Sequence, residues 1–350
     1  MRINYKASLI RSKAPLRLGL AGGGTDLPSF FENYNGGCVL NIALSLCAYC
    51  TLRPTNDNKI RFIAQDINVI FESDIVDFIE PIGDLRLHKA AYNRIVKYYN
   101  KGLPIGSFEL STYSEVPSGS GLGSSSTIMV AIINAYKELL GLPFGEYDLA
   151  ELSYNIERKD LLLQGGKQDQ YCAAFGGANF IEFMPDNKVI VNSLNIRRWI
   201  LTELEQSILL YFTGKSRDSG NIIEQQSANL TDNNAITIKA MQIIKEEAFV
   251  MKEGLLKWDI ELIKRSMVNS WEAKKMSGSK ISNPDINRIY DKVINMGAYC
   301  GKISGAGGGG FMMFLVDPLK KMAIIKELNK EAGYILPCHF SPEGAYTWTV

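Results

Sequence analysis

The most constraining feature of the sequence is a ten-residue run at 117–126, which reads PSGSGLGSSS. Before it, residues 108–112 alternate apolar and polar side chains as a β-strand does. After it, apolar residues recur at helical spacing from Ile128 to Leu139. The three alternating glycines are therefore predicted to lie in a turn that leads from a strand into a helix.

A turn of this kind suits the binding of an anion. Residues without a Cβ allow backbone N–H groups to approach and point at the ligand, and the start of the following helix adds a partial positive charge. We expect a polyphosphate, with the hydroxyls at 124–126 able to cap the helix or reach a phosphate-bound Mg²⁺. An ordinary flexible turn is the alternative, but alternating glycines followed by three serines favour phosphate binding.

Two other phosphate-loop motifs are excluded. The segment Gly214-Lys215-Ser216 matches the end of a Walker A loop, but Leu209 stands where that motif requires glycine. Residues 305–310 match the Rossmann pattern G-x-G-x-x-G, yet the apolar run at 311–316 predicts a buried strand after them instead of a helix. The 117–126 run therefore stays the predicted phosphate site.

The length of 350 residues favours two domains, and we place their boundary near residue 195, giving 1–195 and 196–350. Several strand patterns precede the 117–126 run, so the fold class is predicted as α+β and not as a regular β-α-β repeat. Helices are expected at 88–99, through most of 221–296 and near 320–332.

Composition limits the partners. The chain has 38 Lys+Arg against 37 Asp+Glu and no long run of one sign, which gives no support for binding nucleic acid or a membrane surface. The N-terminus lacks the apolar core of a secretory signal and no apolar run has the length of a membrane span, so we expect a cytoplasmic protein. Six scattered cysteines predict reduced thiols, and Cys47 and Cys50 are expected to pack in the core despite their C-x-x-C spacing.

A second glycine-rich turn, at 22–26, follows an apolar strand pattern that contains Arg17. A buried guanidinium needs a partner, which is either a structural carboxylate or a substrate phosphate. The turn brings backbone close to a ligand, and Asp26 can accept hydrogen bonds from the hydroxyls of a sugar or another polyol. The alternative is a tight turn in which Asp26 caps the next helix.

Two further carboxylates lie near the end of a predicted helix that contains Leu149 and Leu152. Glu157, at the charged end of this helix, is either functional or a solvated surface carboxylate. Asp169 follows two glycines and directly precedes an apolar segment, where a carboxylate needs a partner. Asp169 is therefore a candidate acid–base residue.

Three segments together resemble the motifs of the GHMP kinase family, which is named for galactokinase, homoserine kinase, mevalonate kinase and phosphomevalonate kinase. They occur in the expected order at 15–26, 117–126 and 304–310, and they span nearly the whole chain. Within the family, the segments at 21–28, 117–123 and 166–171 are most similar to the branch of D-glycero-D-manno-heptose 7-phosphate kinases, which phosphorylate the anomeric hydroxyl.

The resemblance implies an N-terminal domain with the ribosomal protein S5 domain 2-like fold and a C-terminal ferredoxin-like domain. It implies that ATP, Mg²⁺ and a small sugar phosphate bind between them, and that the product is a 1,7-bisphosphate for the nucleotide-activated heptose of surface polysaccharide. The oligomeric state stays open, with a homodimer as one alternative.

The resemblance also implies roles for single residues. Asp169 would be the catalytic base, Arg17 would lie near the reacting group, and Ser125 with Glu157 would hold Mg²⁺. The residues implied to bind ATP are Pro117, Gly119, Ser120, Gly121, Leu122, Gly123, Ser124 and Ser125. Those implied to bind the sugar or to shape the floor of its site are Gly23, Gly24, Thr25, Asp26, Gly305 and Gly307.

Other readings of the sequence remain open. A hydroxyl-binding turn does not specify an epimer, so a kinase for fucose or galactose is an alternative. A heptose 7-phosphate needs a basic pocket for its distal phosphate, for which the candidates are Arg217, Lys275 and Lys302. A binding regulator without catalysis is disfavoured, because the residues implied in the chemistry are present.

Overall fold

Two β-sheets and the helices packed on them form the fold in the computed structural model, which describes residues 9–215 and 219–350. The strands are β1 (Ile10–Ala21), β2 (Gly37–Pro54), β3 (Lys59–Ala64), β4 (Val69–Asp74), β5 (Phe108–Ser114), β6 (Ala178–Phe183), β7 (Val189–Ser193), β8 (Ile208–Phe212), β9 (Ala298–Ile303), β10 (Phe311–Val316), β11 (Tyr334–Leu336) and β12 (Tyr346–Thr349).

The helices confirm most of the sequence-based expectations. They are α1 (Pro28–Phe31), α2 (Arg86–Tyr99), α3 (Ser124–Leu140), α4 (Glu146–Asn155), a π-helical turn (Ile156–Asp160), α5 (Gln168–Phe175), α6 (Arg198–Ser207), α7 (Ser219–Thr231), α8 (Ala235–Lys257), α9 (Ile260–Met276), α10 (Pro284–Asn295) and α11 (Pro318–Leu328). The last helix starts earlier than the expected 320–332, because Asp317 accepts a hydrogen bond from the amide of Leu319 and Pro318 suits the first helical position. Helix α6 was not predicted.

The first sheet has the strand order β12-β1-β2-β5-β3-β4, with β6 paired to β2 and β7 to β6. Its pairs are antiparallel except β3 with β5. The second sheet is antiparallel with the order β11-β8-β10-β9. This mixed arrangement confirms the predicted α+β class. Since β12 pairs with β1, the chain returns to the first sheet at its end, and the division at residue 195 stays a prediction.

A shared apolar core joins the two sheets. It contains Leu18 and Leu40 from the first sheet, Leu210 and Phe311 from the second, and Met267 from α9. Burial of this much apolar surface stabilises both sheets in one relative position. The consequence for the site is that the loop between β9 and β10 contacts the loop between β5 and α3, where the amide of Phe311 donates to the carbonyl of Ser120 at 2.8 Å.

The Cys47 and Cys50 side chains are both buried in β2, as expected for core residues, and burial raises the pKa of the Cys47 thiol to about 11. Within residues 9–215 and 219–350, none of the helices combines the length and apolar character that crossing a lipid bilayer requires.

His88 is expected to make the stability of the fold sensitive to acid. The side chain is buried on α2, its Nε2 lies 2.8 Å from the Thr112 hydroxyl, and burial lowers its pKa to about 4. The neutral ring is therefore favoured in the folded state, so this contribution is present above the unfolded pKa of about 6.5 and is lost as the pH falls toward 4. We expect the free energy of unfolding to fall by about 2 kcal/mol between pH 7 and pH 5 from this group.

Urea denaturation of the His88→Gln variant at both pH values tests this expectation, because glutamine keeps a polar group near Thr112 but does not titrate. The loss between pH 7 and pH 5 should shrink by about that amount in this variant. The matched control is His339→Gln, which removes the other histidine of the chain, at an exposed position. An equal pH dependence in wild type and His88→Gln would contradict the prediction.

Candidate active site

One cleft brings the three glycine-rich segments together. Its volume is about 470 Å³, within the usual range for a small-molecule site. The residues that line it from these segments and from the neighbouring helices include Arg17, Gly24, Asp26, Ser118, Gly119, Gly121, Gly123, Ser124, Ser125, Glu157, Gln168, Asp169, Lys274, Gly305 and Gly307. A smaller cavity of about 40 Å³ shares Arg17, Gln168, Lys274 and Gly305 with the cleft.

The loop before α3 has the geometry of an anion site. Gly121 and Gly123 adopt φ values of 85° and 81°, a region that L-residues with a side chain rarely occupy. A Cβ at Gly121 would overlap the carbonyl of Ser304, so only glycine allows the two loops to approach. Gly123 is the N-cap of α3 and has no side chain to satisfy the amides of the first turn. Ser124 and Ser125 of this first turn line the cleft, so the start of α3 suits the binding of a phosphate.

Three of the residues implied to bind ATP pack or form hydrogen bonds within the protein. Ser120 and Leu122 are fully buried, and Leu122 packs in the apolar core shared by the two sheets. Pro117 accepts hydrogen bonds at its carbonyl from the Ser120 amide and the Ser124 hydroxyl. Any contact of Ser120 or Leu122 with a ligand would therefore involve the backbone, while the glycines and Ser124 and Ser125 line the cleft directly.

Arg17 connects the motifs. Its Nε donates to Asp169 Oδ1 at 2.7 Å, and its Nη1 donates to the carbonyl of Gly121 at 2.6 Å. Its backbone amide donates to the carbonyl of Leu122 at 3.1 Å. Burial alone would lower the pKa of Arg17, but the charge of Asp169 and the hydrogen bond with it raise that pKa above its usual value. The structural carboxylate that the sequence left as one alternative is thus Asp169.

Asp169 lies in the first turn of α5, next to the phosphate loop. A Cβ placed on Gly123 would lie 3.2 Å from Asp169 Cγ, which shows how closely the carboxylate approaches the start of α3. The Asp169 side chain is 22% exposed, whereas that of Arg17 is 5% exposed. The Asp169 carboxylate is therefore held by Arg17 and is partly exposed to the cleft.

Asp26 and Thr25 fix the turn instead of standing free for a ligand. The buried Thr25 hydroxyl lies 2.7 Å from the Cys38 carbonyl, and it accepts from the Cys38 amide at 3.0 Å. Asp26 accepts from the amides of Gly24 at 3.0 Å and Gln168 at 3.1 Å. Asp26 therefore caps α5, the helix that carries Asp169. The alternative from the sequence, in which Asp26 caps the next helix, would have required a cap on α1. The side chain of Asp26 also lines the cleft.

Glu157 is buried and not a surface carboxylate. It lies in the π-helical turn after α4, a type of distortion that is frequent at functional sites. Its Oε1 accepts from the Ser126 hydroxyl at 3.1 Å and its Oε2 from Gln170 at 2.6 Å, while the nearest guanidinium nitrogen of Arg158 is 3.8 Å away. A buried carboxylate that lines a cleft with mainly neutral partners favours a bound cation, and hard oxygen ligands from Glu157 and Ser125 fit Mg²⁺.

The basic candidates differ in their positions. Lys302 lines the smaller cavity and donates to the carbonyl of Leu20 at 2.8 Å. Lys275 pairs with Glu272 at 2.8 Å, and Arg217 lies outside the described residues. Lys274, which the sequence analysis missed, lines both cavities and donates to the carbonyl of Gly23 at 3.2 Å.

A signal for Lys274 was present in the sequence. On α9 the buried residues Ile263, Met267 and Trp271 recur at helical spacing, and Lys274 continues their stripe. A lysine at the end of an apolar stripe is expected on the buried face and needs an explanation.

Comparison with known proteins gives consistent matches. The model of the GHMP kinase N-terminal domain matches residues 86–177, and that of the GHMP kinase C-terminal domain matches residues 251–335. A D-glycero-alpha-D-manno-heptose 7-phosphate kinase of Campylobacter jejuni is 48% identical over 341 residues, which cover 97% of this chain and 99% of that protein.

Solved structures agree in fold. A D-glycero-D-manno-heptose 1-phosphate kinase from Bacteroides thetaiotaomicron is 41% identical with a TM-score of 0.82, and the match covers 97% of this chain and 99% of that one. A putative sugar kinase from Campylobacter jejuni is 45% identical, with a TM-score of 0.82. The match covers 99% of this chain and 100% of that one. The predicted two-domain fold is thereby confirmed.

Proposed function

Because this chain belongs to the GHMP kinase family, we propose that it transfers the terminal phosphoryl group of ATP to the anomeric hydroxyl of D-glycero-D-manno-heptose 7-phosphate. The similarity to sugar kinases makes the chain a phosphotransferase with an alcohol group as acceptor, and the family uses ATP as donor. The observation that carries the proposal is the contact between Arg17 and Asp169 beside the glycine loop, because it joins a cation, a carboxylate and an anion site in one cleft.

The glycine loop and the start of α3 bind the phosphates of ATP in this proposal. Backbone amides around Gly121 and Gly123 point at phosphate oxygens, and the helix start adds positive charge. Ser125 and Glu157 would hold Mg²⁺, which would neutralise charge on the phosphate oxygens. Ser126 and Gln170 orient Glu157 through the hydrogen bonds to its two oxygens.

Asp169 acts on the acceptor. Its Oδ1 accepts from Arg17, so Oδ2 is the oxygen that takes or orients the proton of the acceptor hydroxyl. The acceptor oxygen then forms a bond to the terminal phosphorus as the bond between phosphorus and the bridging oxygen breaks, and ADP leaves. Arg17 holds Asp169 in place and contributes positive charge next to the loop where negative charge develops.

The substrate part of the proposal rests on the degree of similarity. The heptose 7-phosphate kinase is 48% identical, whereas a bifunctional L-fucokinase of Bacteroides fragilis and a galactokinase of Pyrococcus furiosus are 25% and 21% identical. The fucose and galactose alternatives are therefore less supported. A regulator without catalysis is disfavoured as well, because Asp169 and Glu157 both line the cleft.

Replacing the acid–base candidate should separate catalysis from binding. In Asp169→Asn the side-chain volume is kept but the proton acceptor is lost, so we expect turnover to fall by roughly 100-fold or more, as for loss of a general base. Binding of a non-hydrolysable ATP analogue should change by less than about threefold. The measurements are ADP release with heptose 7-phosphate and calorimetric titration with the analogue.

The control for this experiment is Asp291→Asn, the same chemical change at an exposed position on α10. Thermal unfolding of both variants checks that they are folded. A folded Asp169→Asn enzyme whose turnover stays within about tenfold of wild type would contradict the role of Asp169.

A substrate panel tests the proposed acceptor. We expect kcat/KM to be highest for D-glycero-D-manno-heptose 7-phosphate and at least about tenfold lower for the unphosphorylated heptose, since hydrogen bonds to a charged group contribute about 1.5–3 kcal/mol. L-fucose, D-galactose and heptose 1-phosphate complete the panel. Faster reaction with fucose or galactose would overturn the heptose assignment while leaving the kinase class intact.

A further inference from the structure

We propose that Lys274 and Lys302, together with the Ser270 hydroxyl, form a subsite that binds the distal phosphate of the sugar substrate in the smaller cavity. This inference rests on the proposed function and names the residues that distinguish a sugar phosphate from a free sugar. All three side chains line the cavity of about 40 Å³ that adjoins the main cleft.

The two cavities are adjacent, since Arg17, Gln168, Lys274 and Gly305 line both of them. In this proposal the acceptor hydroxyl of the substrate faces Asp169 in the cleft, and the other end of the substrate extends past Lys274 into the smaller cavity. The smaller cavity has space for roughly two or three water molecules, which is suitable for one phosphoryl group but not for a second sugar ring.

Ser270 supplies an independent observation. Its side chain is buried, and its hydroxyl has no hydrogen-bond partner among the described residues. A buried hydroxyl without a partner costs free energy, so a ligand that accepts a hydrogen bond from it would remove that cost. Ser270 precedes Lys274 by one helical turn on α9, and both therefore lie on the same face of the helix.

The charges in the smaller cavity are unbalanced. The ammonium groups of Lys274 and Lys302 each donate to one main-chain carbonyl, although an ammonium has three donors. Within the described parts of the chain, neither lysine has a carboxylate oxygen within 4 Å. Arg17 also lines this cavity, but its charge is already paired with Asp169. Asp26 is the nearby carboxylate that acts on Lys274.

The pKa shifts of the two lysines agree with a shortage of negative charge in the smaller cavity. Burial, together with the positive charges of Lys274 and Arg17, lowers the pKa of Lys302 to about 7. Burial lowers the pKa of Lys274 to about 8, while Asp26 acts in the opposite direction. A phosphate dianion would stabilise both ammonium groups and replace the missing negative charge. Two lysines packed only for structure would leave this electrostatic cost uncompensated.

The test compares phosphorylated and unphosphorylated heptose in single variants. For Lys302→Met and Lys274→Met we measure the ratio of kcat/KM for heptose 7-phosphate to kcat/KM for heptose. We expect this ratio to fall at least about tenfold in each variant, because each lost charge–phosphate contact acts on only one of the two substrates. Lys302→Arg, which keeps the charge, should restore part of the ratio.

The matched control is Lys239→Met, at an exposed position of α8. Ser270→Ala is a further variant that keeps both lysines, and it should lower the same ratio by a smaller factor. An unchanged ratio in folded Lys302→Met and Lys274→Met would overturn the subsite, even where both substrates react more slowly.

A binding experiment separates failure of the subsite from failure of the proposed function. The enzyme is saturated with Mg²⁺ and a non-hydrolysable ATP analogue to occupy the glycine loop, and inorganic phosphate is titrated by calorimetry. We expect binding in wild type and at least about tenfold weaker binding in Lys302→Met. Lysine-dependent phosphate binding without heptose 7-phosphate turnover would contradict the proposed substrate alone, and phosphate binding that is equal in wild type and Lys302→Met would contradict the subsite.

Discussion

The contact between Arg17 and Asp169 is the interaction on which the rest of the site depends. One guanidinium on β1 contacts the phosphate loop through the carbonyl of Gly121 and the acid–base candidate through Asp169 Oδ1. Its Nη1 also lies 3.5 Å from the hydroxyl of Ser304 in the third glycine-rich segment. Removal of Asp169 would leave the charge of the buried Arg17 without compensation, which is destabilising. The buried cation thus connects three loops and holds the carboxylate of Asp169 beside them.

The packing of the two sheets brings together the loops that Arg17 contacts. Their shared apolar core sets the β9–β10 loop against the β5–α3 loop, and glycines on both sides allow backbone to meet backbone: a Cβ on Gly305 would lie 2.9 Å from Gly121 Cα. Asp26 adds a connection from the end of β1 to the start of α5. The chemistry of the cleft therefore depends on residues that come from both sheets, and the apolar core keeps them in register.

The sequence predicted those parts of the site that depend on local rules. Glycines that need positive φ, a strand followed by a helix, and a carboxylate that precedes an apolar segment are all visible over a few residues, as at 117–126 and at Asp169. That Asp169 lies in the first turn of a helix was not predicted. It did not identify the partner of Arg17, because Asp169 is 152 residues away in the chain. Lys274 was missed for a related reason, since only the packing of α9 against β1 and β9 shows which end of its stripe reaches the site.

The central claim is that Arg17 holds Asp169 beside the amides that bind the ATP phosphates, so that donor and acceptor meet in one cleft. The most direct measurement is a crystal structure with Mg²⁺, a non-hydrolysable ATP analogue and heptose 7-phosphate. We expect the terminal phosphate at the start of α3 and the anomeric oxygen within about 3.2 Å of an Asp169 oxygen. Triphosphate bound away from the glycine loop, or an anomeric oxygen remote from Asp169, would contradict the account.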